Sequence, residues 1–264
     1  MTVHKRDARH KIIEIREVAR DIYSIILEDD YIPRYAHSGQ FLMVQASETT
    51  IPLLRRAISI TRILDKNHYE LLIQQIGLGT RILKEKTAGQ CLNILGPLGS
   101  SFDINKARNK HALIVAGGIG IAPVFFLYDQ LKTVTDKISV YYGSRSKEYL
   151  VDLSELNANI HLSTEDGTKG YNGYITDLLQ NHIVEKVYNK DNCMVYSCGP
   201  SPMLSVLNDI AEKHSLPCEV SVETEMACGL GVCMGCPVEL KEKPGHYVYA
   251  CKDGPVFDGH HIVI

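Results

Sequence analysis

Residues 111–134 read HALIVAGGIGIAPVFFLYDQLKTV. The opening apolar run does not alternate, which is the pattern of a strand buried on both faces. A glycine-rich turn follows, Gly117-Gly118-Ile119-Gly120, and Pro123 stands where a helix tolerates proline, in its first turn. The glycines are not spaced as in the G-x-G-x-x-G dinucleotide fingerprint, so the strand–loop–helix context carries the reading. The rhythm then repeats: KISVYYG at 137–143, NIHLSTEDG at 159–167, ITDLLQNHIV at 175–184, NCMVYSCGP at 192–200, SPMLSVLNDIAEKH at 201–214 and CEVSVE at 218–223. Strands alternating with helices specify a parallel α/β sheet. Such sheets bind ligands at the carboxyl ends of their strands, where Gly117, Gly118, Gly120 and Pro123 close one strand and Cys198-Gly199-Pro200 closes another.

Upstream the pattern is different. Short β-type runs separated by turn residues, KIIEIREV, IYSIILED, QFLMVQ, AISITRI, YELLIQQ and CLNIL, occupy 11–95 and predict a small antiparallel barrel. The polar stretch INKARNK at 104–110 lacks apolar periodicity and marks a boundary. The expected organisation is therefore mixed, all-β followed by α/β: a barrel at 1–103, a parallel-sheet domain at 104–215, and a small cysteine-bearing module at 216–264. At 264 residues, 45% hydrophobic and 22% charged, the chain has material for such cores. A net charge of −3 gives no electrostatic case for nucleic acid or an anionic membrane. Lys5, Arg6, Arg9 and Lys11 read as a solvated tail, and without an apolar segment after them the chain reads as cytosolic.

Cys228, Cys233, Cys236 and Cys251 stand as C-x4-C-x2-C-x14-C. Three thiolates crowded on one loop, followed by a distant fourth, is the spacing that holds a 2Fe-2S cluster, whereas structural zinc modules use two separated short-spaced pairs. Ala227, Gly229, Gly231 and Gly235 let that loop wrap closely, with its N–H groups toward the sulfurs. In a reducing compartment the other four cysteines do not imply disulfides, and Cys193, Cys198 and Cys218 lie in apolar runs as small buried residues.

In the first domain Arg56-Ala57-Ile58-Ser59 lies on a strand, and Gly77-Leu78-Gly79-Thr80 leads into a helix. A guanidinium fork offers paired donors to a pyrophosphate, and Thr80 with the first N–H groups of the helix offers more, so both segments suit a phosphorylated cofactor. No nucleophile elbow, H-E-x-x-H or P-loop occurs, and the eleven histidines are scattered.

The order R-A-I-S, G-L-G-T, G-P-L-G-S-S-F, G-G-I-G-I-A-P and C-G-P-S-P-M resembles the ferredoxin reductase family. With the four-cysteine module and the ending C-K-D-G-P-V-F at 251–257, the chain resembles the electron-transfer subunits of dihydroorotate dehydrogenase type B. The resemblance covers nearly everything after about Lys11. It implies FAD held by Arg56, Ala57, Ile58, Ser59, Ile73, Gln74, Gln75, Gly79 and Thr80. It implies NAD held by Gly117, Gly118, Gly120, Pro123, Cys198, Gly199 and Pro200, and a 2Fe-2S cluster on the four cysteines. It further implies an FMN-containing catalytic partner, two copies of each chain, with Met226, Leu230, Val232 and Met234 supplying apolar contact around the cluster. The flavin motif of the family commonly has Pro after the Arg, where this chain has Ala57; that changes preorganisation more than chemistry. Glu165 and Asp166, at the end of NIHLST, favour NAD because two carboxylates repel a 2′-phosphate and accept from a ribose hydroxyl. Ser144-Arg145, read as an exposed turn, would oppose that preference if it faced the same pocket. The rival readings are a reductase subunit of a sulfide dehydrogenase, transhydrogenase or oxygenase system, or a zinc-binding protein without redox function.

Overall fold

The computed structural model describes residues 5–185, 188 and 191–264. The first half runs β1 (Arg6–Ala19), β2 (Ile22–Glu28), α1 (Tyr31–Tyr35), β3 (Phe41–Gln45), β4 (Arg56–Ser59), β5 (Arg62–Ile63), β6 (His68–Gln74), α2 (Leu78–Lys84) and β7 (Cys91–Leu98). These strands form one seven-stranded antiparallel sheet in the order β4-β3-β7-β1-β2-β6-β5. The run AISITRI was expected to be one strand, and it is two. Ile60 N–H donates to Gln40 O at 3.2 Å and Thr61 N–H to Glu70 O at 3.0 Å, so the chain leaves β3 and joins β6 between consecutive residues. The sheet thus curls until its edge strands β4 and β5 are neighbours in sequence, but no hydrogen-bonded ladder joins them, which corrects the expected closed barrel.

The basic residues expected in a tail also belong to the sheet. Arg6, Arg9 and Lys11 lie on β1, paired with β7 through Arg6↔Gly96 to Lys11↔Cys91. They alternate with the buried His10 and Ile12, and their exposed heads face Asp30, Glu48 and Glu28. Burying one Ile contributes roughly 1.5–3 kcal/mol whereas an exposed ion pair contributes about 0–1 kcal/mol, so the alternation rather than the charge pairs places this strand.

The second half contains β8 (His111–Gly117), α3 (Ala122–Leu131), β9 (Ile138–Ser144), β10 (Asn159–Thr164), β11 (Tyr171–Asn172), α4 (Ile175–Val184), β12 (Cys193–Cys198), α5 (Ser201–Lys213) and β13 (Cys218–Ser221). It ends with β14 (Pro237–Glu239), β15 (Tyr247–Tyr249) and β16 (Val256–Asp258). A second seven-stranded sheet has the order β11-β10-β9-β8-β12-β13-β16, with every pairing parallel except β13 with β16. Leu113 and Val115 of β8 pack with Leu179 of α4 and Leu204 of α5, while Ala112, Ile114 and Ala116 pack with Val124 and Phe125 of α3. Helices therefore cover both faces, which is why β8 shows no alternation.

The expected module at 216–264 is interleaved with this sheet: β13 and β16 are strands of it, and the cysteine loop and the small β14–β15 pair project from between them. The loop packs back on the first sheet. Phe41, Met43 and Leu98 share one apolar cluster with Cys236, Ala250 and Cys251. Among the described residues no helix is long and apolar enough to cross a membrane.

Candidate functional site

The cysteine loop is shaped by left-handed backbone at Gly229, Gly231 and Met234, with φ of 69°, 78° and 56°. At Gly229 a side chain would also collide, since a Cβ would lie 2.5 Å from Met43 Cγ. The resulting path turns N–H groups onto the sulfurs. Cys228 Sγ accepts from Leu230 N at 3.3 Å and Cys233 N at 3.5 Å, and Cys251 Sγ accepts from Gly231 N at 3.1 Å. Burial pushes the Cys228 thiol up, but the N–H groups of Cys233 and Leu230 outweigh it and bring the pKa down to about 6. Burial, then the neighbouring Cys236 sulfur, push Cys251 up to about 12. Cys236 and Cys251 lie with Sγ atoms 3.3 Å apart, and Cys228 contacts Cys233. Thiolates sharing one tetrahedral ion at bonds near 2.3 Å stand roughly 3.7 Å apart, so each pair suits one metal ion. Among the described residues no three His, Cys, Asp or Glu side chains are placed to hold a single ion. Two thiolate pairs with N–H donors around them fit a two-iron cluster.

Next to this loop lies a cleft of about 310 Å³, lined among others by Ala57, Ser59, Ile73, Thr80, Thr224 and Met226. Arg56 and Gly79 meet at its edge: a Cβ on Gly79 would lie 2.4 Å from Arg56 Nε, so the missing side chain is what admits the guanidinium. Arg56 donates to Leu54 O at 2.6 Å, and among the described residues no carboxylate is ion-paired with it. Thr80 lines the cleft and also shapes the turn before α2. Its Oγ1 accepts from Ile76 N at 3.0 Å and Gly77 N at 3.2 Å, so the hydroxyl holds the turn into α2. Ile58 lines the cleft from β4 and Gln74 from β6, whereas Gln75 is not among its lining residues. Buried Thr224 Oγ1 has no hydrogen-bond partner among the described residues. An orphaned hydroxyl in a half-apolar cleft, with a guanidinium bonded to backbone carbonyl rather than carboxylate on the strand that lines it, fits a flavin with its pyrophosphate.

A second cleft of about 530 Å³ opens at the carboxyl edge of the parallel sheet, lined by Gly117, Gly118, Arg145, Glu165, Pro200 and Met203 among others. Gly120 and Gly199 lie behind its wall. A Cβ on Gly120 would stand 2.2 Å from Cys198 O, and one on Gly199 2.6 Å from Met203 Cε, so these glycines allow the β8 and β12 loops to touch. Pro123 and Cys198 face the first cleft instead. Burial, then the charge of Glu223, keep the Cys198 thiol protonated. Asp166 is not among the residues lining the cleft; it accepts from Thr168 N and Oγ1 and, chiefly through those bonds, is held below the usual carboxylate range. Arg145 is exposed at a bend just after β9, as expected, and it also lines the same cleft as Glu165.

Gln74, Ile119 and Glu223 line both clefts, which are therefore adjoining halves of one depression. Glu223 was not anticipated from the sequence. Solvent reaches it through the open clefts, yet protein crowds it enough to raise its carboxyl pKa by desolvation. Its signal was position: it follows β13 at the same sheet edge as Gly117 and Cys198. Met226, expected on an external surface, also lines the first cleft, while Leu230, Val232 and Met234 are exposed.

Known proteins resemble this chain in sequence and in fold. Residues 223–263 match the family described as the iron-sulfur cluster binding domain of dihydroorotate dehydrogenase B, and 114–209 match the oxidoreductase NAD-binding domain. A Bacillus mycoides protein named dihydroorotate dehydrogenase B (NAD(+)), electron transfer subunit, is 34% identical over 260 residues, covering 96% of this chain and 97% of its own. The chain belongs to this electron transfer subunit family. Among other dihydroorotate dehydrogenase B electron transfer subunits, that of Caldanaerobacter subterraneus subsp. tengcongensis is 34% identical, covering 94% of both chains. The fold of this chain also matches the solved structure of an NADH-dependent reduced ferredoxin-NADP oxidoreductase. That match has a TM-score of 0.84 at 24% identity and covers 97% of this chain and 90% of the other. A Plasmodium falciparum ferredoxin-NADP+ reductase matches with a TM-score of 0.64 at 18% identity, covering 79% of this chain and 91% of its own.

Proposed function

We propose that this chain is the electron outlet of a cytosolic dihydroorotate dehydrogenase in pyrimidine synthesis. In this reading it receives electrons from an FMN-containing catalytic subunit through a 2Fe-2S cluster and FAD and passes them to NAD+, in an assembly with two copies of each chain. The observation that carries the reading is the series of sites. Met226, two residues before Cys228, lines the first cleft, and that cleft shares Gln74, Ile119 and Glu223 with the second. A bound flavin supplies the conversion between single electrons and a hydride.

The residues have distinct tasks. Arg56, seated against Gly79, offers its fork to the pyrophosphate, and the α2 turn held by Thr80 presents first-turn N–H groups beside it. Ser59 and the unpartnered Thr224 hydroxyl supply polar contacts for the ring system. Gly117 and Gly118 let a dinucleotide approach the backbone, and Glu165 accepts from its ribose and repels a 2′-phosphate. Arg145 works against that repulsion, so discrimination depends on Glu165. Desolvation raises the Glu223 carboxyl above its ordinary range at the junction of the two clefts. The exposed Leu230, Val232 and Met234, on the loop carrying the cysteines, form the contact with the catalytic subunit.

The test is to purify the chain alone and with its co-expressed partner. Expected are FAD and two irons per chain, NADH oxidation by the lone chain with an artificial acceptor, and dihydroorotate oxidation only with the partner. Dihydroorotate oxidation by the lone chain, or a colourless protein holding zinc, would overturn the proposal.

A further inference from the structure

The first cleft is lined from both sheets, by Ile58 and Ile73 of the first and Cys198 and Ser221 of the second, whereas the second cleft is lined almost wholly from the second sheet, so the gap between their occupants depends on how those sheets are fastened. Helix α3 is the shared part. Ala122 and Pro123 at its start line the first cleft, and Ile119 just before it lines both. Phe126, in its middle, inserts into the apolar core of the first sheet, while Phe125 packs into that of the second.

One turn beyond Phe125, Asp129 meets Arg62 of β5. Arg62 Nε donates to Asp129 Oδ2 at 3.2 Å, and its NH1 stands 2.6 Å from Glu155 Oε1, in the loop between β9 and β10. Its guanidinium also covers the Phe125 ring, 5.1 Å from the centroid. Only 15% of the Arg62 side chain is exposed, so this is a largely desolvated cation holding two acidic partners of the second domain. Lys132 backs Asp129 at 2.7 Å, and Glu70, opposite Arg62 on β6, adds a further negative charge. The other end of the link is equally fixed. Thr61 Oγ1 accepts from Leu72 N at 2.8 Å, tying β5 to β6, and β6 carries Ile73 and Gln74 into the clefts.

We infer that the Arg62–Asp129–Glu155 triad is a positioning device for hydride transfer, setting the distance between the flavin and nicotinamide sites by locking α3 to β5 and β6. The inference rests on the functional reading above. Asp129 lies seven residues along α3 from Ala122, about 10 Å of rigid helix, so a tilt at Asp129 moves the Ile119 turn at the other end. Reacting atoms must lie within about 3–3.5 Å, and small misplacements cost rate steeply. Arg62 lines neither cleft, so its loss removes no side chain from either lining.

The experiment uses the full FAD-loaded chain, comparing wild type with Arg62→Met, Arg62→Lys and the Asp129→Asn/Glu155→Gln double variant. Expected for Arg62→Met are unchanged FAD content, a KM for NADH within about twofold of wild type, and a kcat with an artificial acceptor lowered roughly 10- to 100-fold. The long-wavelength charge-transfer absorbance of the flavin–nicotinamide complex falls in parallel. The double variant, which keeps Arg62, gives the same pattern, and Arg62→Lys restores part of both signals because an ammonium reaches one acid but not both. A lowered melting temperature with kcat and charge-transfer absorbance unchanged in both Arg62→Met and the double variant overturns the inference, leaving the triad a structural brace. Wild-type protein that NADH fails to reduce refutes the functional reading itself, and the inference with it.

Discussion

Replacing Gly79 by Ala tests the pyrophosphate cradle with two effects of opposite sign. Gly79 lies within α2, where Ala favours the helix by up to about 1 kcal/mol. The new Cβ would lie 2.4 Å from Arg56 Nε and 2.8 Å from Cζ, about 1 Å inside ordinary contact. The atoms it meets are the far end of a long side chain, so the guanidinium gives way rather than the backbone. The fold therefore keeps or gains stability, while the fork leaves its place at the cleft. A hydrogen bond to a charged group contributes about 1.5–3 kcal/mol, so FAD affinity should fall roughly 10- to 150-fold. Titration of the apo chain, followed by quenching of flavin fluorescence, measures the affinity, and thermal denaturation without FAD measures the stability. Arg56→Met should weaken FAD by a similar factor, and combining both changes should add little, because each removes the same contact. An unchanged FAD dissociation constant in Gly79→Ala, or full additivity with Arg56→Met, would show that Arg56 does not hold the cofactor from this position.

Cys236→Ser should abolish the visible absorbance and iron content assigned to the cluster, yet leave NADH oxidation with an artificial acceptor nearly intact; retained iron would contradict the ligand assignment. Glu165→Gln should raise kcat/KM for NADPH relative to NADH by about tenfold, since Arg145 then faces the cleft unopposed; an unchanged ratio would remove Glu165 from specificity. Burial above all, with the Arg6 charge adding to it and Asp29 opposing, holds His10 below its ordinary value of 6.5, and burial does the same for His111 and His161. The unfolded chain then binds more protons, so stability is complete above about pH 6.5 and declines as pH falls toward the depressed folded values. Melting temperatures measured from about pH 7.5 to 5 should show that decline, shallower in His10→Gln; a flat profile would contradict neutral burial of these rings.

Features that depend on neighbours along the chain were legible in the residue order. The unbroken apolar run of β8, the glycine turn after it, Pro123 at the start of α3 and the spacing of Cys228, Cys233, Cys236 and Cys251 are local patterns. They specify the change from antiparallel to parallel sheet and the cysteine quartet because periodicity and ligand spacing act over a few residues. Only the tertiary structure decided what converges. The switch of partner strand between Ile60 and Thr61, the return of β13 and β16 into the second sheet, and the junction of Gln74 with Ile119 and Glu223 join residues far apart in sequence. Arg145 lines the second cleft, Asp166 is bonded to Thr168, and the Thr80 hydroxyl is engaged by its own turn. Side-chain direction at a loop depends on which strands lie beside it, and strand order is set by the burial of the whole core.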